Sequence, residues 1–226
     1  INTETGGYIG FFAPNIENTG SLNSPEGNIT LSNANSGLLY LPNSAGIGFS
    51  IDSLESLNPI GIENTGLIKA SGGQVLLSSA AIDTALRSAI NNEGIIDVSA
   101  IHNDGGNISI LSSIGSINQS GSVSADSIMN GNGGDIIMIA EEDMIHSGNS
   151  SARGGDNSGR GGFVETSGFG DLKINSLVDT RALNGEWGKW LIDPPSLNIG
   201  DAGGTDITSA DIINALSTNS SVEYLA

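Results

Sequence analysis

The residues able to do chemistry are few and scattered. The densest carboxylate group is Glu141-Glu142-Asp143, directly after GGDIIMIA. Polysaccharide hydrolysis or lysis needs carboxylates that converge, usually with Arg or Lys nearby, to move protons and stabilise charge. On a strand Glu141 and Asp143 share one face and Glu142 the other, and no second acidic cluster can be set opposite them from the sequence. An exposed turn is the simpler reading. His102 and His146 lie 44 residues apart, neither with a partner at metal-ligand spacing. Asp104, Asp135 and Asp156 adjoin glycine pairs, yet they lack the tandem nonapeptide pattern of calcium-binding repeats. The pattern assigns no catalytic residue, metal ligand or cofactor.

Two further groups suit binding rather than catalysis. SARGGDNSGRGG (151–162) sets Arg153 and Arg160 among glycines; it contains RGGD, not RGD, and reads as a flexible loop. A long loop on a rigid scaffold is where binding would reside. Trp187 and Trp190 in EWGKWLIDPP are the only tryptophans. Carbohydrate stacking is their functional reading. Strand alternation instead places Trp190, with Leu191 and Ile192, in the core or at a rod end and leaves Trp187 covering an edge. Asp193-Pro194-Pro195 would then stop the strand and seal the stack against edge-to-edge pairing.

Composition limits what can position these groups. Apolar residues make up 37% of the 226, but aromatics only 4%, so the core must come from Ile, Leu, Val and Ala. That suits a thin core repeated layer upon layer, and the 33 glycines imply many turns between short strands. The net charge of −18 disfavours nucleic acid and anionic lipid as partners. No run approaches the length of a membrane helix. The first ten residues lack the basic start and apolar stretch of a signal peptide, so the chain reads as part of something longer. The lack of cysteine fits a secreted bacterial protein that crosses a membrane unfolded.

Self-similarity supplies the architecture. IENTG occurs at Ile16–Gly20 and again at Ile62–Gly66, followed by INNEG from Ile90, INQSG from Ile117 and a degenerate IHSG from Ile145. Glycine-led alternating segments (GNITLS, GGQVLLS, GGNISIL, GGDIIMI, GGFVETS) run in phase with them, as do Leu22, Ile68, Ile96 and Val123, two residues after each repeat glycine. Each unit is strand, corner, strand, loop. One unit cannot bury its apolar stripe alone, but stacked units can, and a period in the twenties with β-alternation predicts a parallel β-helix. About seven coils, roughly 4.8 Å apart, would span residues 1–199 in a rod on the order of 35 Å long. Asn18, Asn64, Asn92 and Gln119 should stack at one corner with their amides bonded coil to coil. Gly20, Gly66, Gly94 and Gly121 should take positive φ beside them.

Two stretches interrupt the period. Residues 37–61 lengthen one interval to 46 and suggest an extra coil with an excursion, and residues 80–90 carry Ile82, Leu86 and Ile90 at helical spacing behind Asp83. Residues 200–226 read as a linker holding a short helix, TSADIINAL, with Ile212, Ile213 and Leu216 on one face. The strand-like SVEYLA would then lead into a next section.

At these residues the chain resembles the large exoproteins of bacterial two-partner secretion, the filamentous-haemagglutinin-like and high-molecular-weight adhesins. GGYIGFFAPNIENTGSLNSPEGNITLS is similar to the family's GG-x-V-x-L-x-A-P-x-V-x-N-S-G-x-I segment, and IENTGLIKASGGQVLLSSAAIDTALRSAINNEGIIDVSA to the segment that follows it. GGFVETSG, then VDTRALNGEWGKWLIDPPSLNIG, is similar to the G-G-x-V-E-x-S-G … W-L-I-D-P signature. Together they cover about residues 6–199. NPIGI at Asn58–Ile62 departs from the family's secretion motif NPNGI at Ile60, and Ile62 opens a repeat, so the segment is placed beyond the secretion domain. The resemblance implies a right-handed coil, export through an outer-membrane transporter barrel, and display at the bacterial cell surface or release outside the cell. It also implies adhesion or toxin presentation for the whole protein, with a host-cell glycan or protein receptor as partner, but not that this segment touches the receptor. The expectation is a structural stalk, not an enzyme. A β-helical polysaccharide lyase or hydrolase and a direct glycan-binding module are the alternatives.

Overall fold

The computed structural model describes residues 1–33, 36–39, 47–50, 60–80, 88–196, 198–200, 207–218 and 221–224. The chain winds as a parallel β-helix. Its first coil holds β1 (Tyr8–Phe12), β2 (Ile16–Asn18) and β3 (Ser21–Asn23). The second begins with β4 (Asn28–Asn33), makes a hairpin of β5 (Ser36–Leu39) and β6 (Ile47–Ser50), and resumes with β7 (Ile60–Asn64) and β8 (Leu67–Lys69). Three regular coils follow: β9 (Gln74–Ser79), β10 (Ser88–Asn92) and β11 (Ile95–Asp97); β12 (Asn107–Ser112), β13 (Ile117–Gln119) and β14 (Ser122–Ser124); β15 (Asp135–Ala140), β16 (Met144–His146) and β17 (Asn149–Ser151). The sixth has β18 (Phe163–Gly168), β19 (Leu172–Ile174) and β20 (Leu177–Asp179). Then come β21 (Lys189–Asp193), the helix α1 (Ser209–Thr218) and β22 (Ser221–Tyr224).

The first strand of every coil joins an 8-stranded parallel face, from β1 through β4, β9, β12, β15, β18 and β21 to β22. The second strands form a 6-stranded face from β2 to β19, and the third strands another from β3 to β20. Register is kept coil after coil, as in Asn107↔Asp135 and Asp135↔Phe163. A one-residue slip would turn each apolar column outward, so the columns themselves hold the register. Ile29, Val75, Ile108, Ile136, Val164 and Trp190 form one such column, all buried.

Four expectations change. The interval of 46 residues inserts no coil between its neighbours: β2 pairs directly with β7 and β4 with β9, and within the added length β5 and β6 pair antiparallel. The helical reading of 80–90 fails at its end, because Ser88 to Ile90 belong to strand β10; Ile82, Asp83 and Leu86 lie outside the described residues. Pro194-Pro195 do end β21, but they do not seal the stack, since β22 pairs in parallel with β21. Residue 199 therefore marks no change of fold: the tail adds an eighth strand to the long face. α1 forms as expected, closed at its start by Thr208, whose N–H and hydroxyl both donate to the Asp211 carboxylate. It packs by Ile212 and the buried Ala215, leaving Ile213 and Leu216 exposed.

Candidate functional site

The corner between the second and third faces carries the interior polar chain. Asn18 Nδ2 donates to Asn64 Oδ1 at 2.7 Å, Asn64 Nδ2 to Asn92 Oδ1 at 2.6 Å, and Asn92 Nδ2 to Gln119 Oε1 at 2.8 Å. The backbone copies the pattern: the Asn64 carbonyl accepts from both Glu93 N and Gly94 N, and the Asn92 carbonyl from Ser120 N and Gly121 N. Each of the three buried asparagine amides thereby meets the requirement that a polar group removed from water be paired.

The corner glycines act through space, not torsion. None of Gly20, Gly66, Gly94 and Gly121 has positive φ. A Cβ on Gly66 would strike the Gly20 carbonyl oxygen, one on Gly94 that of Gly66, and one on Gly121 that of Gly94. Gly20, with no such neighbour, has open space there. Crowding by the preceding coil, not left-handed backbone, requires glycine at the other three.

The chain of amides stops at Gln119, whose Nε2 is buried with no partner. The next rung places His146 in register with Gln119. The imidazole is fully buried, and burial pushes its pKa down to about 3, so it is neutral at ordinary pH. Ser150 Oγ lies 2.9 Å from Nε2 and Thr166 Oγ1 lies 3.4 Å from Nδ1. Trp190 Nε1 donates to the same Thr166 oxygen at 3.2 Å, and the Trp190 ring meets the imidazole edge-on with centroids 6.5 Å apart. Thr166 and Ser150 thus give each ring nitrogen of the imidazole a hydroxyl partner, and Thr166 also accepts from the indole. Ser150 interrupts the column Leu22, Ile68, Ile96, Val123 and Val178, and Thr166 the column Leu31, Leu77, Ile110, Met138 and Ile192. The polar intrusions into neighbouring columns therefore meet at one point.

Sequence reasoning treats His146 as a structural or surface histidine and misses its place in the ladder. The signal is there: counted back two residues from the repeat glycine, Gly148, the ladder position is His146, and the apolar opener is Met144, not Ile145.

The other candidates sit at the two remaining corners. Glu141, Glu142 and Asp143 form an exposed turn between β15 and β16, with Asp143 Oδ1 accepting from Asp171 N at 2.8 Å. Among the described residues no group of three or more His, Asp or Glu side chains could hold a metal ion.

The corner between the third face and the next coil is short at first (24–27, 70–73) and then widens into a shelf (98–106, 125–134, 152–162, 180–188). The loops of this shelf, 151–162 among them, are bonded to one another from coil to coil. Bridges join Ala100 to Ser127 and Asn130 to Ser158, Asp104 Oδ1 accepts from Asn132 N at 2.7 Å, and Asn132 Oδ1 accepts from Arg160 N at 2.9 Å. Arg153 approaches Asp179 at 3.8 Å, while Arg181 binds the same carboxylate at 2.6 Å. Burial pushes the Asp179 pKa up, but the Arg181 hydrogen bonds outweigh it and hold the carboxyl below its usual range. Burial wins at Asp126, which is raised despite hydrogen bonds from Arg153 N and Ser151 Oγ. His102 and Trp187 also lie on the shelf, Trp187 41% exposed, whereas Trp190 is in the core. His102 and His146 are thus not brought together.

No model of a known protein family matches the chain, and no curated protein matches it. Among the described residues no helix is long and apolar enough to cross a membrane.

Proposed function

We propose that this chain is a structural stalk: a stiff β-helical segment of a large secreted bacterial surface adhesin that holds loops or further domains away from the cell. The observation that carries this reading is the unbroken register of the long face, backed by an interior amide ladder. Stacked coils resist axial extension because each adds parallel hydrogen bonds and buried apolar area to its neighbour. The net charge of −18 makes copies of the rod repel one another. Export through an outer-membrane transporter barrel, display outside the cell and an adhesive role for the parent protein rest on the motif resemblance. Coil-by-coil folding suits such export, since each coil templates the next.

Force spectroscopy on the chain tests the mechanical role. Peeling single coils of about 28 residues should release steps of roughly 90–100 Å. Polysaccharide lyase or hydrolase activity in the purified chain, lost in Glu141→Gln, would overturn the proposal.

A further inference from the structure

The two ends of the rod differ. At one end α1 lies against the last rung of the third face: Thr180 N donates to the Thr218 carbonyl at 2.9 Å, and Thr218 Oγ1 to the Val178 carbonyl at 2.6 Å. At the other end the first coil leaves its core open. A cleft of about 300 Å³ there is lined by Ile1, Phe11, Ile16 and Leu22, with Asn18 at its polar corner. Phe11, Ile16 and Leu22 head the apolar columns that Leu31, Ile62 and Ile68 continue.

Three features of this end go beyond what the first coil itself needs. Gly66, Gly94, Gly121 and Gly148 each donate their N–H to the ladder carbonyl one coil back, at 2.8–3.0 Å. The Gly20 N–H turns instead to Asn18 Oδ1 of its own coil, at 3.3 Å. A Cβ on any of those four would strike the glycine carbonyl one coil back, yet one on Gly20 meets open space, and Gly20 has no positive φ. Its own coil has no use for glycine there. Lastly, Ile1 to Thr3 already run parallel to β3: Asn2 is bridged to Asn23, whose N–H donates to the Ile1 carbonyl at 2.9 Å. That register sets Ile1 beside Leu22 at the head of its column, 63% exposed.

A small apolar ligand could fill the cleft but would give the Gly20 N–H no backbone carbonyl. A second copy would bring a charge of −18 against a like charge. An extended segment that continues the stack satisfies both the apolar and the polar positions. We infer that this end docks a strand–corner segment of the longer polypeptide, laid on β2 in parallel register and running into Ile1. In the first coil Ile16 and Asn18 stand six and four residues before Leu22; the segment accordingly carries an aliphatic residue six and an amide four positions before Ile1. The aliphatic side chain covers Ile16, the amide donates to Asn18 Oδ1, and the carbonyl of the amide residue accepts from the Gly20 N–H. The inference rests on reading the chain as part of a larger protein.

The test extends the whole chain at its start by Ile-Asn-Asn-Ser-Gly-Ser, which carries the register into Ile1, and follows amide hydrogen exchange at Thr19 and Gly20. Exchange should slow at least about tenfold relative to the natural chain. With Leu in place of the second added Asn, the slowing should be at least about threefold weaker. Gly20→Ala should leave the circular dichroism and thermal midpoint of the natural chain unchanged but remove the protection that the extension gives. No slowing, equal slowing with the Leu extension, or equal slowing in Gly20→Ala would each overturn the inference. So would a natural chain that dimerises and loses the dimer in Gly20→Ala, because a second copy would then hold this end. The force measurement reads the coils behind this end and stands or falls separately.

Discussion

The two halves of the rod solve the same interior problem differently. From Asn18 to Gln119 the polar corner repeats one device, an amide that donates to the next coil and accepts from the last. At His146 the same corner passes to an imidazole and then to Ile174, and the imidazole is met by Ser150, Thr166 and Trp190 reaching in from the neighbouring columns. An amide carries no titratable proton, so the ladder of the first half should itself be indifferent to pH. An imidazole held neutral by burial makes the second half sensitive to it. A repeat fold therefore tolerates a foreign residue in a column where its partners change with it: Ser150 and Thr166 accompany His146.

The sharpest way to break the comparison lies in the Ile68–Ser150 column. Ile68 is fully buried, and Ile68→Asp would place a carboxylate there without the partner that Ser150 has. We expect loss of more than about 4 kcal/mol and an unfolded chain by circular dichroism; a folded variant would show that the column is not closed to water. Within the ladder, Asn92→Leu strands Asn64 Nδ2 and Gln119 Oε1 and should cost about 2–4 kcal/mol in urea unfolding.

The pH response sharpens the contrast. The folded His146 pKa of about 3 lies below the unfolded value of 6.5, so the unfolded chain takes up the proton first. Stability is then full above about pH 6.5 and falls by up to about 1.4 kcal/mol per unit as pH drops toward 3. Asp97 is pulled upward by burial, but Lys69 outweighs that and its pKa is lowered; Asp179 is lowered likewise. Both lose their contribution only below the usual carboxylate range. In the interval from about pH 4.5 to 6.5 the imidazole acts against the raised Asp126 and Asp135, whose opposite contribution is common to the natural chain and a His146 variant. Urea midpoints across that interval should rise with pH more steeply for the natural chain than for His146→Gln, which keeps a side chain able to hydrogen-bond. The smallest effect belongs to the exposed turn: Glu141→Gln should change stability by less than about 0.5 kcal/mol.

The same contrast explains what the sequence makes legible. Periodicity marks the amide ladder because like residues recur at a fixed offset from the repeat glycine, and a repeat reports whatever is repeated. His146, Ser150 and Thr166 each occur once in their columns, and only three-dimensional register reveals that they meet. The misreading of 37–61 has a similar origin: a longer interval fits an inserted hairpin as well as an added coil, and pairing of β2 with β7 decides between them. At Gly94 the residue type is informative but the reason is not, since a crowded carbonyl and a left-handed torsion both demand glycine. On α1 the helical spacing groups Ile212, Ile213 and Leu216, whereas the helix rests on Ile212 and Ala215.

Parallel, in-register stacking of successive coils underlies all of these expectations, and a chain without cysteine allows it to be tested by cross-linking. Ser122 and Asn149 are register partners on adjacent coils, and Leu177 follows one coil further on. Cysteines at 122 and 149 would have Cα atoms about 4.8 Å apart, within disulfide reach, and those at 122 and 177 about twice that. The fold predicts that Ser122→Cys/Asn149→Cys closes an intrachain disulfide on mild oxidation with unchanged circular dichroism, while Ser122→Cys/Leu177→Cys stays reduced. Ready closure of the second pair, or failure of the first in a folded chain, would contradict it.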